Sequence, residues 1–317
     1  MKLPKWVHLL GIPAFGWILY SLDLNKLFDS LRSIAVSNLI IVVLIFFPII
    51  LLKTLRWSAI LKMRGIALPL SGLYSAYMSS FSAGGVTPGR FGEMLKYSYV
   101  KDAGYGLGVS LSSAFSDRLW DAVLLLFIGL IGLPFIYPLS SGQMLVNTAV
   151  ILLLILLIIV IVWRRKSVYS VLSKLISKLI PEKLRKKLEG ERKDFFETLL
   201  PKSFNEFFKL LFLSVASWIL YFFGYYLLSK ALGLNVEFIN LSLILSLTAL
   251  LSFIPITISG VGTRDAALIV LLKPYGINAE EAVAFSLSIL AIFMIDIAIG
   301  FLFSLSNPIK KENNGSV

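Results

Sequence analysis

Nine ionisable residues stand within or beside the apolar stretches of this 317-residue chain: Arg90, Glu93, Lys96, Asp117, Arg118, Asp121, Arg264, Asp265 and Asp296. Four are cations and five are anions, so near-complete pairing is open to them. A charge at the centre of a bilayer costs about 2.5–3.5 kcal/mol on insertion scales. In a membrane these groups must therefore face each other, a ligand or a water-filled cavity. Arg90 and Glu93 are three apart and become neighbours if a helix starts near Gly89. Asp117 and Asp121 are four apart and share a helical face. Asp296 has no charged neighbour in sequence, so its partner must come from another helix, with Arg90, Arg118 or Arg264 as candidates.

Two stretches rich in backbone breakers carry several of these charges. They run over 82–93 (Ser-Ala-Gly-Gly-Val-Thr-Pro-Gly-Arg-Phe-Gly-Glu) and 255–265 (Pro-Ile-Thr-Ile-Ser-Gly-Val-Gly-Thr-Arg-Asp). A helix opening after Gly89 or Gly262 would point free N–H groups and a partial positive charge into the membrane. An arginine beside such an end suits a phosphate, because its planar fork binds two oxygens. Arg90, Arg118 and Arg264 are thus the expected phosphate ligands. Glu93, Asp117, Asp121, Asp265 and Asp296 balance them, bind a cationic part of a headgroup or carry protons. Gly84, Gly85, Pro88, Gly89, Pro255, Gly260 and Gly262 are the expected hinge and close-packing positions. The plainer alternative is that the same charges only hold a helix bundle together.

The composition demands a membrane for this pattern. The chain is 57% hydrophobic and 15% charged, where soluble domains carry about 25% charged residues. With no cysteine and one histidine, His8, disulfides, Cys/His zinc sites and a central catalytic histidine are not expected. No Walker motif and no nucleic-acid-binding signature is present, and no cofactor is expected. The formal charge is +12, and residues 164–209 hold 13 Lys/Arg against six Asp/Glu, an excess that reads as the positive-inside rule. The start of the chain resembles a signal peptide but lacks a clear small-x-small cleavage site, so it is read as a retained span.

Spans of about 20 apolar residues are expected at Trp6–Leu22, Ile34–Leu52, Leu119–Tyr137, Met144–Trp163, Phe207–Leu228 and Glu281–Ser304. Lys/Arg bias orients them. Lys2, Lys5, Lys53, Arg56, Lys62, Arg64, the basic segment, Lys310 and Lys311 are assigned to the cytoplasmic side, with both termini. Residues 65–106 and 231–280 must each begin and end on one side, and on opposite sides from each other. The expected fold is an all-α polytopic protein of the cell (plasma) membrane. It has about six full spans, two oppositely facing re-entrant helical hairpins and a pseudo-inverted repeat. The organisation is a membrane half at 1–163, a basic cytosolic or interfacial helical linker at 164–208, a second membrane half at 209–306 and a tail at 307–317.

At these motifs the chain resembles the transmembrane region of lysylphosphatidylglycerol synthases, which also occurs as a stand-alone membrane family. The matching residues are Thr87-Pro88-Gly89-Arg90-x-Gly92-Glu93, then Ser116-Asp117-Arg118-x-x-Asp121, then Pro255 followed by Ser259-Gly260-Val261-Gly262-x-Arg264-Asp265. The resemblance implies a lipid flippase-like fold with two re-entrant elements. The chain ends at Val317, without the large soluble domain that aminoacylates phosphatidylglycerol in those synthases, so that activity is not expected. Many relatives have glutamate where Asp265 stands. The leading function is movement of an anionic or phosphate-containing lipid headgroup across the membrane, with membrane lipids as partners and a homo-oligomer open. One alternative is an integral-membrane transferase for a lipid-linked substrate, with Asp117 and Asp121 on a divalent metal; Arg118 between the acids opposes that. Another is an anchor for a cytosolic lipid-modifying enzyme.

Overall fold

A computed structural model of the chain describes residues 11–32, 34–136, 140–163, 195, 199, 201, 203–253, 257 and 260–306. Pro255 and Ser259, His8, most of the basic linker and the tail lie outside them. Every regular element among the described residues is a helix. In chain order they are α1 (Gly11–Tyr20), α2 (Leu24–Arg32), α3 (Val36–Lys62), α4 (Leu70–Gly85), a 3-10 segment (Pro88–Lys96), α5 (Tyr97–Asp102), α6 (Leu107–Ile136) and α7 (Ser141–Trp163). After the linker come α8 (Phe204–Ala231), α9 (Phe238–Leu251), α10 (Thr263–Leu272) and α11 (Ala279–Ser306). Four of them, α3, α6, α8 and α11, are long and apolar enough to cross a membrane. Each answers to an expected span. The other two expected spans correspond to α1 and α7 and extend beyond the described side chains.

Two of the long helices begin or end elsewhere than hydropathy places them. α3 does not stop at Leu52 but runs ten residues further to Lys62, so Lys53 and Arg56 belong to a helix interior and not to a cytoplasmic loop. α6 starts at Leu107, not Leu119, and carries Ser110, Ser112, Ser113, Ser116 and Asp117 as buried residues. Hydropathy misplaces both ends for one reason. The polar residues there are buried against each other, and a window average treats them as solvent-facing.

The molecule contains the same arrangement twice. α3 and α4 open at Val36 and Leu70, and α8 and α9 open 168 residues later, at 204 and 238. α3 and α8 also stop in the same way. Gly65 and Gly233 both have φ 73°, and the N–H of the next residue bonds five residues back, Ile66 to Leu61 and Leu234 to Ser229. This is the glycine-terminated closure that satisfies the last free carbonyls of a helix. Packing follows the repeat: α3 lies along α8, α4 lies on α11, and α9 lies on α6. Each short helix therefore rests on the long helix of the other half. A glycine seats each contact. A Cβ at Gly132 of α6 would lie 2.8 Å from Leu243 Cβ, and one at Gly300 of α11 would lie 2.6 Å from the Met78 carbonyl.

The core divides accordingly. Leu125, Phe222, Leu241, Ile244, Leu268 and Phe285 form the main cluster among α6 and α8–α11. Ile50, Trp57, Leu61, Leu73, Tyr77 and Val100 form a second between α3, α4 and α5. Polar and charged residues gather where α3, α4, α6, α8 and α11 meet.

Candidate functional site

Arg56 is the centre of a buried ion lattice and has no exposed surface. Its Nε donates to Asp117 Oδ1 and its Nη1 to Asp121 Oδ1, both at 2.7 Å. It also donates to Ser214 Oγ at 2.9 Å and to the Asp117 carbonyl at 3.0 Å. Lys53 reaches Asp121 Oδ2 at 2.8 Å and stacks over Trp218. The Trp218 indole donates to Asp121 Oδ1 at 2.9 Å. Lys96, also fully buried, pairs with Asp117 Oδ2, which accepts from the Tyr77 hydroxyl at 2.7 Å as well. The i,i+4 carboxylates of α6 thus meet the i,i+3 cations of α3, and nearly every lone pair is used. That is the condition for buried charges to be tolerated at all.

The first breaker stretch builds a second group beside this lattice. Gly89 and Arg90 both have left-handed backbones, with φ 60° and 55°. A regular helix therefore cannot open after Gly89, contrary to expectation, and the chain turns back along α4 as a distorted 3-10 segment. Glycine adopts such angles freely, whereas arginine does not. Glu93 is nevertheless placed between two guanidinium groups. Arg118 Nη1 lies 2.6 Å from Oε2, and Arg90 Nε lies 3.0 Å from Oε1, off the line of a hydrogen bond. Arg118 also donates to the Gly89 carbonyl at 3.2 Å and stacks over Phe253. Arg90 is sandwiched between Phe81 and Phe293, at 5.0 and 4.8 Å. Gly84 makes room for this: a Cβ there would lie 2.5 Å from Glu93 Cγ. Gly85, next along α4, abuts Ile297 in the same manner.

The second breaker stretch does open a helix. Gly260 and Gly262 take positive φ, 75° and 80°, and α10 begins at Thr263. The Asp265 carboxylate reaches back to accept from the N–H of Gly262, the residue that precedes the helix, at 2.6 Å, one half of a capping box. Arg264 points into the bundle. Its Nε donates to Ser286 Oγ at 2.9 Å and its Nη2 to the Ser286 carbonyl at 3.1 Å. No described carboxylate forms an ion pair with it.

One cavity of about 90 Å3 joins these pieces, with room for several waters. Six of the eight expected headgroup residues line it: Arg90, Glu93, Arg118, Asp121, Arg264 and Asp296. Lys53 also lines it. Asp117 and Asp265 do not, being turned to the lattice and to the Gly262 N–H. Apolar side chains of α3, Val42, Ile45, Phe46 and Ile49, continue the wall at helical spacing, and Tyr221 and Tyr225 of α8 face them. Asp296 departs from expectation. It is 5% exposed, yet among the described residues it forms no ion pair, and its Oδ1 has no hydrogen-bond partner.

Lys53, Arg56, Tyr77, Trp218 and Ser286 are site residues that sequence reasoning missed. Lys53 and Arg56 follow a long apolar run, where a basic pair ordinarily marks the membrane surface. The available signal was the pattern three apart on α3, which matches the carboxylates four apart on α6. Ser286 carries no sequence signal of its own.

A family model described as lysylphosphatidylglycerol synthase TM region matches residues 7–300. None of the curated proteins compared with the chain matches it.

Proposed function

Because the chain belongs to the family of lysylphosphatidylglycerol synthase TM regions, we propose that it carries a phosphate-bearing lipid headgroup across the membrane. Membership gives it a role connected with membrane lipids, and its long apolar helices make it a membrane protein. The observation that carries the transport function is this cavity. It is lined by arginines from both breaker stretches and by an apolar face of α3. Such a wall suits an amphiphile whose phosphate is held by guanidinium forks while its chains stay among apolar side chains.

In this proposal α4 with the 3-10 segment, and α9 with α10, are re-entrant hairpins that enter from opposite leaflets, and about six helices span the plasma membrane. The repeated order of helices, with three crossings in α3, α6 and α7 before α8, supports an inverted relation between halves. Transport is favoured over transferase chemistry by the state of Asp117 and Asp121. Their oxygens are held by Arg56, Lys53, Lys96, Tyr77 and Trp218, and a divalent metal would have to displace those partners.

The test is reconstitution of the full chain into phosphatidylcholine vesicles holding a trace of acyl-labelled fluorescent phosphatidylglycerol. Dithionite bleaching of the label reads transfer between leaflets. Wild-type protein is expected to expose the inner label, and the double variant R90A/R264A to expose it at least tenfold more slowly with its helix content unchanged. Equal rates for the two would refute lipid transport through this cavity.

A further inference from the structure

Two buried atoms on residues of opposite charge are left unmet beside one cavity. Among the described residues, Asp296 Oδ1 and Arg90 Nε both lack a hydrogen-bond partner, and both residues line the cavity. Arg90 lies over the ring of Phe293 at 4.8 Å. Phe293 and Asp296 are three apart on α11, hence neighbours on one helix face. The arginine is thus packed on the acid's helical neighbour. Its ion pair is nevertheless with Glu93, which Arg118 already holds at 2.6 Å.

The other charged residues of the cavity are engaged elsewhere. Lys53 is held by Asp121, Arg118 by Glu93, and Arg264 by the hydroxyl and carbonyl of Ser286. α8 adds Tyr221 and Tyr225 to the cavity wall, with rings 4.7 Å apart. On α4, Tyr77 bonds Asp117 and Tyr74 bonds the Phe47 carbonyl. α2 packs on α11 at Val283, Ala284 and Leu287, more than two turns before Asp296. A buried carboxylate without a partner is costly as an anion, and binding a proton neutralises it. A metal ion fits worse. Among the described residues no three acidic, histidine or cysteine side chains gather as ligands, and the guanidinium groups of Arg90, Arg118 and Arg264 share the cavity.

We infer that Asp296 is a proton-binding site and that Arg90 is its switch. The acid holds a proton while Arg90 meets Glu93, and releases it when Arg90 turns to Asp296. The carboxyl O–H is the one covalent bond made or broken, and the proton is exchanged with water in the cavity. Arg118 keeps Glu93 paired after Arg90 leaves it. The slot between Phe81 and Phe293 permits the turn, because attraction to a ring face does not fix which way the guanidinium fork points. The proton site stands apart from the lipid function proposed above, and its consequence for transport rests on that function. A phosphate held by Arg90 occupies the fork that would otherwise displace the proton, so headgroup and proton favour each other's binding.

Infrared titration of the full chain in detergent tests the site, because a protonated carboxylic acid has a C=O stretch that a carboxylate lacks. Wild type is expected to show this band at neutral pH and D296N to lose it, with D296L as the second variant if D296N does not fold. No such band in wild type, or a band that the variant keeps, overturns the proton site. R90A removes the competing cation and is expected to hold the band with at least about tenfold higher proton affinity; R90Q stands in for an R90A that does not fold. Equal proton affinity with and without the arginine overturns the switch. In the vesicle assay, transfer by wild type is expected to fall at least about threefold from neutral to alkaline pH, and transfer by D296N to stay flat. A parallel fall in both overturns the coupling to transport. Wild-type protein that moves no lipid overturns the transport function, and the infrared titration still decides the proton site.

Discussion

Arg56 and Asp296 are both buried and charged, and their surroundings are opposite. Arg56 is met on four sides by acceptors, so removing it leaves Asp117 and Asp121 short of a counter-charge. Breaking a buried pair in this way costs about 3–5 kcal/mol. R56M is expected to lower the midpoint of thermal unfolding in detergent sharply, or to abolish folded expression. Asp296 has an unmet oxygen, and an unsatisfied buried polar group costs about 1–3 kcal/mol. D296L is therefore expected to leave the unfolding midpoint unchanged or raise it, while slowing lipid transfer. The charges of α6 and of the two breaker stretches were legible in sequence because each carries a spacing or a breaker. Lys53 and Arg56 were not, since an apolar run ending in basic residues looks the same whether those residues meet headgroups or buried carboxylates. None of the three arginines expected as partners of Asp296 forms an ion pair with it among the described residues.

At the scale of elements, two glycines decide how closely the halves approach. Gly132 and Gly300 occupy corresponding places on α6 and α11, against α9 and α4. The atoms a Cβ would meet include the backbone carbonyl of Met78, which cannot swing aside. G300A is expected to destabilise by about 1–3 kcal/mol, the usual cost of overpacking, and G132A by less, because its new Cβ would stand 2.8 Å from Leu243 Cβ against 2.6 Å from the Met78 carbonyl. Unfolding midpoints of the two variants in one detergent check the order. Helix existence was readable from hydropathy for α3, α6, α8 and α11, but their ends were not. The buried serines of α6 and the polar end of α3 lower a hydropathy average without ending a helix. The left-handed pair at Gly89 and Arg90 was likewise hidden, because an arginine rarely takes such angles and nothing in its type announces them.

At the scale of the molecule, the repeat is one of backbone more than of charge. Positions 168 residues beyond Lys53, Arg56, Asp117 and Asp121 are Tyr221, Gly224, Phe285 and Ile289. Lys96, the fifth charge of the lattice, has a charged counterpart, Arg264. One half thus carries the ion lattice, and the other places neutral residues at four of the five equivalent places. This explains why two segments of sequence look only weakly alike while their helices begin at matching intervals. The proposed inversion has a direct check, made clean by the absence of cysteine from the chain. Lys62 and Lys230 are exposed and stand in the last turns of the corresponding helices α3 and α8. K62C is expected to react with an impermeant maleimide only from the cytoplasmic side of oriented membranes, and K230C only from the other. Labelling of both from one side would contradict the inverted arrangement.

The left-handed backbone at Arg90 gives this position two separable duties. A non-glycine residue held at such angles costs of order 1–3 kcal/mol, and glycine escapes most of that cost. R90G and R90A both delete the guanidinium, but only R90G relaxes the turn. If lipid transfer is lost alike in both while R90G alone gains stability, the arginine is kept for its charge against the preference of its own backbone. Random replacement at this position would then show folding and transport moving in opposite directions, with glycine the best-folded and among the least active outcomes.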